Sequence, residues 1–133
     1  MLKTVVARAG GRAVIVTDTI TKLDADDAGA IAVSGSHGGT SSAEFALAQP
    51  LACAFFNDAG VGKDGAGIAA LAMLDAAGVP AVAVSHDSAR IGDAADMWAF
   101  GRVSHVNAAA QRIGIVVGES VRGAVARFGP LTD

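Results

Sequence analysis

Three polar, glycine-bearing stretches hold most of the side chains able to do acid/base chemistry, and each follows a short apolar run. They read Ser34-Gly35-Ser36-His37-Gly38-Gly39-Thr40, then Asn57-Asp58-Ala59-Gly60-Val61-Gly62-Lys63-Asp64-Gly65, then Ser85-His86-Asp87-Ser88-Ala89-Arg90-Ile91-Gly92-Asp93. Histidine is the natural proton carrier near neutral pH, and arginine offers a planar fork for a carboxylate or phosphate. The candidate catalytic set is Ser36, His37, Asn57, Asp58 and His86. Ser36 (with Ser34 as its alternate) or an activated water would attack, and His37 or His86 would move the proton. Asn57, with nearby backbone N–H groups, would polarise the substrate, and Asp58 would address it from the strand end. Lys63 and Arg90 would hold a negative group. Ser34, Gly38, Gly39, Thr40, Gly60, Gly62, Ser85 and Ser88 would line the space between them.

The three stretches differ in what else explains them. Gly38-Gly39 entering a helix would present unpaired N–H groups to an anion, or it would only make a tight turn beside His37. The second stretch looks like a phosphate cradle but fails the P-loop pattern. Asn57 stands where the first glycine belongs, and Asp64 replaces the magnesium-holding Ser/Thr. It is not a dinucleotide fingerprint either. A backbone-rich pocket suits a small anionic or amide-bearing ligand, whereas turn chemistry alone would have Asp58 cap the turn and leave Lys63 and Asp64 solvated. In the third stretch Asp93 can cap a helix through Met97-Trp98, and Arg90 can pair with an acidic neighbour. No HxH, HxxxH or CxxC spacing marks a metal site, and no cofactor motif is present. Cys53, mid-strand between alanines, reads as a buried inert thiol.

The order strand–Ser36-His37-Gly38, strand–Asn57-Asp58, glycine-led helix, strand–Val84-Ser85 is similar in layout to caspase-like proteases. There a histidine-glycine after one strand faces a cysteine after the next. Here only His37-Gly38 matches. Asn57 or Asp58 holds the cysteine's place and Cys53 falls too early. The resemblance therefore carries over no nucleophile and no protease activity.

The elements that must position these stretches follow from apolar patterning. Ala30–Val33, Leu51–Phe56 and Ala81–Val84 are short apolar runs expected as buried parallel strands. Loops leaving the carboxyl ends of such strands gather on one sheet edge, where ligands bind. A helix capped by Ser41 or Ser42 should run to about Gln49, before Pro50. A second should run from Gly65-Ala66-Gly67 to Gly78. Upstream, two β-rich runs around Gly10-Gly11 predict a hairpin. Asp18 through Gly29 is an acidic loop with room for one helical turn. Downstream, Val106, Ala110, Ile113, Val117, Val121, Ala124 and Phe128 recur three or four apart and predict one helix from Ser104 to Phe128. A break near Gly114, with Ile115–Val117 as a strand, is the alternative. Beside that stripe, Ala110, Gly114 and Gly118 would pack on the sheet or form a homo-oligomer contact.

The expected architecture is a single α/β domain over residues 1–133: a small three-layer fold with a mainly parallel sheet, an N-terminal β-hairpin and a long C-terminal helical segment. Apolar residues make up 52 % of the chain but aromatics only 5 %, so small side chains must let the layers approach closely. A net charge of −3 and few stacking platforms argue against nucleic acid or an anionic membrane surface as partner. No apolar stretch is long enough to span a bilayer, and no signal peptide is read at Met1-Leu2-Lys3-Thr4. With one cysteine, a cytoplasmic setting is expected. The function expected is a small-molecule hydrolase, or a related acyl- or proton-transfer enzyme, acting on a carboxylate- or amide-containing metabolite. The alternative is a non-catalytic module or accessory subunit that binds an anion through the same loops.

Overall fold

A computed structural model describes residues 1–133. Its strands are β1 (Lys3–Ala9), β2 (Arg12–Thr17), β3 (Ile31–His37), β4 (Cys53–Asn57), β5 (Ala81–Val84), β6 (Val103–Val106) and β7 (Leu131–Thr132). The helices are α1 (Thr40–Leu47), α2 (Ala69–Ala76), α3 (Ala94–Phe100), α4 (Ala108–Arg112) and α5 (Val121–Val125). All seven strands form one sheet in the order β6-β5-β4-β3-β2-β1-β7.

The sheet is mixed, which corrects the expectation of a mainly parallel one. β2 through β5 pair in parallel, while β1 runs antiparallel to both β2 and β7, and β6 runs antiparallel to β5. The parallel centre has the near-continuous apolar strands that double coverage demands. Val14, Val16, Ile31, Val33, Cys53, Phe55, Val82 and Val84 face one cluster, shared with Met97 of α3 and with Val121, Ala124 and Val125 of α5. Ile15, Ala32, Ala54, Phe56, Ala81 and Ala83 alternate to the other face and meet Ala43 and Ala46 of α1 and Ala70, Leu71 and Leu74 of α2. The many alanines in both clusters let helix and sheet backbones come close.

At the N-terminus β1 and β2 form a hairpin whose turn residues Gly10 and Gly11 both have positive φ, as the tight twisted turn requires. A bulge between Val5 and Ala7 is not legible in the sequence. The acidic segment that follows forms two short 3-10 turns, Ile20–Lys22 and Ala25–Asp27. Helix α1 begins at Thr40 with Gly39 as its cap, so neither Ser41 nor Ser42 caps it, and Ser42 is buried within it. No helix is long and apolar enough to cross a membrane.

The largest correction lies at the C-terminus, where no helix spans Ser104 to Phe128. Val103–Val106 is an edge strand and α4 is only five residues long, leaving α5 and a closing 3-10 turn at Ala126–Phe128. Asn107 drives the break. Its Oδ1 accepts from Ala81 N and from Ala110 N, capping α4, while its Nδ2 donates to the carbonyls of Leu71 and Val79. Gly114 and Gly118 then sit at φ +91° and +97°, outside any right-handed helix. The Ala110-Gly114-Gly118 stripe therefore does not exist as a helical face, and the oligomer contact expected on it loses its surface. Ile115–Val117 is not a strand either. Gly114→Ala should cost about 1 kcal/mol through the left-handed backbone alone, read as a small fall in urea midpoint. An added Cβ there has room, with Arg127 Cδ 3.9 Å away.

Candidate functional site

The three stretches meet at the carboxyl edge of the parallel strands: Gly38 N of the first donates to Asn57 O of the second, Gly92 N of the third donates to Gly35 O of the first, and buried Asp58 joins the second to the third. Leaving β4, Asp58 donates its backbone N–H to Val84 O of β5. Its Oδ1 accepts from Gly60 N at 2.8 Å, His86 N at 3.0 Å and His86 Nδ1 at 3.2 Å. Its Oδ2 accepts from Ser104 Oγ of β6 at 2.7 Å. Burial alone would push this carboxyl up. The Gly60, Ser104 and His86 donors together outweigh burial and hold it below its ordinary value of 3.8. An ionised carboxylate only accepts, and of the two carboxylates facing the ring Asp58 is buried while Asp87 is solvated, so the neutral tautomer this site favours carries its proton on Nδ1.

His86 is half exposed, and its Nε2 lies 3.3 Å from Asp87 Oδ1. Asp87 has a side chain 87 % exposed, so solvent screens this contact. With Nδ1–H given to Asp58, Nε2 of the neutral ring carries the lone pair. The ring also stands beside Gly60, whose absent Cβ would lie 3.6 Å from His86 Cε1. The backbone here is unusual: Ala59, Val61 and Asp64 all have φ between +52° and +69°. For a β-branched residue such as Val61 that conformation is a true outlier, of the kind that clusters at functional loops. Val61 N→Asp58 O at 2.7 Å and Gly67 N→Val61 O at 2.6 Å hold it there.

The other singled-out residues take different places. Asn57 is wholly buried, with Nδ2 donating to Ala89 O and facing Met97 Sδ at 3.6 Å and Oδ1 accepting from Ala59 N, so its amide ties two loops together and does not reach the rim. Ser34 is buried in β3 and donates to Phe55 O. Ser36 turns toward the segment after β2, accepting from Ile20 N and donating to Thr19 Oγ at 3.4 Å, with no hydrogen bond to His37 or His86. Gly38 N donates to Asn57 O and Gly67 O, so it is not available to an anion. His37 is exposed at the end of β3 and lies against Gly39; Thr40, exposed, opens α1. Ser85 Oγ accepts from Asp87 N, and Ser88 Oγ links Ser85 O to Arg102 N. Gly62 borders open space. Lys63 and Arg90 are exposed cations outside every ion pair. Asp93 caps α3, and Asp96 accepts from the backbone N–H of Arg90.

Two participants escape the sequence pattern. Ser104 and His105 fall within the helix expected there, but β6 places Ser104 on Asp58 and His105 Nδ1 3.0 Å from Ser104 Oγ. The one available signal is the Val-Ser-His-Val run, apolar at both ends and too short for a helix. Asp18 is also missed: its carboxylate accepts from Ala94 N at the start of α3 and from Leu2 N, and those two bonds hold its pKa down.

No Ser-His-Asp relay results, because Ser104 sits on the far oxygen of Asp58 rather than on His86 Nε2. No three His, Cys, Asp or Glu side chains converge as a metal site. Cys53 is fully buried, and burial pushes its thiol well up. The edge holds no enclosed cavity; the main cleft lies at the amino-terminal ends of β2 and β3. No family model, curated protein or solved structure matches the chain.

Proposed function

We propose that the chain is a small-molecule enzyme in which His86, oriented by Asp58, moves a proton at the carboxyl edge of the sheet. The class that suits this pair is hydrolysis, or a related acyl or proton transfer, on a carboxylate- or amide-containing metabolite in the cytoplasm. Water is the nucleophile, because no serine reaches Nε2. Asp58 fixes the tautomer and stabilises the imidazolium that forms, while Lys63 and Arg90 draw in the negative group of the substrate. The observation that carries this is the 3.2 Å His86 Nδ1–Asp58 Oδ1 contact on a buried, fully bonded carboxylate.

The test is a panel of small carboxylate and amide metabolites, screened by NMR for binding and then for product. His86→Ala should lower turnover about a hundredfold or more, whereas His37→Ala, away from Asp58, should change it less than about tenfold. Turnover unaffected by His86→Ala would end the proposal. A second reading is favoured by the open rim, which lacks the cavity expected of most active sites. In it the same loops bind an anion without converting it, and the panel would then give saturable shifts near Lys63 and Arg90 but no product.

A further inference from the structure

The cleft beside the hairpin belongs to no part of this site. It measures about 370 Å³ and is bordered by Arg8, Arg12, Val5, Ala13, Ile15 and Asp26. We propose that it binds a small monocarboxylate with an apolar body, gripped by Arg8 and Arg12. The volume is within the usual span of small-molecule sites and would hold about a dozen water-sized groups.

Both arginines are anchored and still have donors to give. Arg8 Nη2 donates to Gly11 O at 2.6 Å, and Arg12 Nη1 donates to Gly29 O at 3.1 Å. Neither forms an ion pair with any carboxylate. A guanidinium has five N–H donors, so one backbone bond each fixes position without exhausting capacity. Forks already positioned lose little on meeting a carboxylate, the planar partner they match best.

The remaining charges set the valence of the ligand. Asp27 also borders the cleft, but its Oδ2 accepts from Lys3 Nζ at 2.8 Å and from Asp24 N at 2.8 Å. Asp26 enters no ion pair and would repel a second negative charge. Two cations against one free acid favour a monoanion over a phosphate or a dicarboxylate.

The floor calls for an apolar body. Val5 is 57 % exposed on the face of the sheet that α1 and α2 cover further across, and it pairs with Ile15, as Arg8 pairs with Ala13. An alkyl chain laid over exposed Val5 and half-buried Ala13, with buried Ile15 beneath, would remove that surface from water. The cleft lies at the opposite sheet edge from His86, so the two proposals fail independently.

The test uses hexanoate, hexanamide and inorganic phosphate against the intact protein, followed by amide NMR. Hexanoate should give saturable shifts at Gly11, Ala13, Gly29 and Ala30 in the millimolar range. Hexanamide, which needs no variant, should bind at least about tenfold more weakly, as should hexanoate to Arg8→Gln and to Arg12→Gln. Asp26→Asn should tighten hexanoate. Three results would each overturn the proposal: no saturable shift at those four amides, hexanamide binding as well as hexanoate, or phosphate doing so.

Discussion

Asp58→Ala is expected to lower the free energy of unfolding by about 3 kcal/mol, a large share of what a domain of this size has to lose. The variant strips the acceptor from Gly60 N and His86 N and leaves Ser104 Oγ only the longer bond to Ala83 O at 3.3 Å, in a position with almost no access to water. Asp58→Asn keeps an acceptor for the two backbone donors and should cost only about 1 kcal/mol. The pH dependence has a definite sign. The Asp58 and Asp18 carboxyls are both held below their ordinary value, so each contributes stability above that value and loses it as pH falls through the folded one. Urea midpoints should therefore fall from about pH 4 downward, and Asp58→Asn should flatten part of that fall. A midpoint profile unchanged by Asp58→Asn would show that the carboxylate is not held ionised by these donors.

Gly35→Ala should be about as costly, about 3 kcal/mol, although it adds only a methyl group. Between the pairs Val33↔Phe55 and His37↔Asn57, β3 carries two more residues than β4, and Gly35 lies in that irregular stretch. A Cβ there would stand 2.8 Å from Asp18 O, 2.8 Å from Gly92 C and 2.9 Å from Asp93 N, all backbone atoms unable to rotate aside. Gly92 N donates to Gly35 O at 2.8 Å, so the third loop is docked directly onto β3. Relief of the clash must shift Gly92–Asp93 or Asp18, and with either the start of α3, which both aspartates hold. Calorimetry should show the lost stability, and the NMR signals of Gly92 and Ala94 should shift together. A variant as stable as the parent would mean that the first and third loops are not in contact.

Much of the frame is legible where one physical rule acts alone. Ala81–Val84 is an apolar run too short for a helix and is β5. Gly10-Gly11 supplies the only backbone able to turn between two β-branched runs. Asp93 offers an oxygen to the start of α3. The misreadings occur where two rules compete. Residues 104–128 have helical spacing, but Val106 is spaced by chance, and Asn107 finds four partners elsewhere that fix a chain turn. The glycines at 114 and 118 look like close-packing positions in sequence, whereas only their φ shows them to be helix breakers. Ser34 to His37 reads as a loop because serine and glycine are loop residues, yet Ser34 pairs with Thr17 of β2 and His37 with Asn57 of β4, and these two pairs carry β3 across the irregular stretch at Gly35 and Ser36.

The same limit applies to the site. Asp58 and His86 stand out by type and by position after apolar runs, but sequence does not say which acid meets which histidine. Asn57 is as polar as Asp58 and adjacent to it; one is spent on Ala89 and the other receives His86. That division depends on which way successive side chains point as β4 ends. Ser104 is invisible until β6 is known to be the neighbour of β5.

The direct test of the Asp58–His86 pair is long-range proton–nitrogen NMR of the His86 ring at a pH where it is neutral. The proton should reside on Nδ1, with a shift typical of a hydrogen bond to carboxylate, and that signature should vanish in Asp58→Ala. A neutral His86 carrying its proton on Nε2, or a spectrum indifferent to Asp58→Ala, would contradict the pairing and remove the basis for catalysis at this edge.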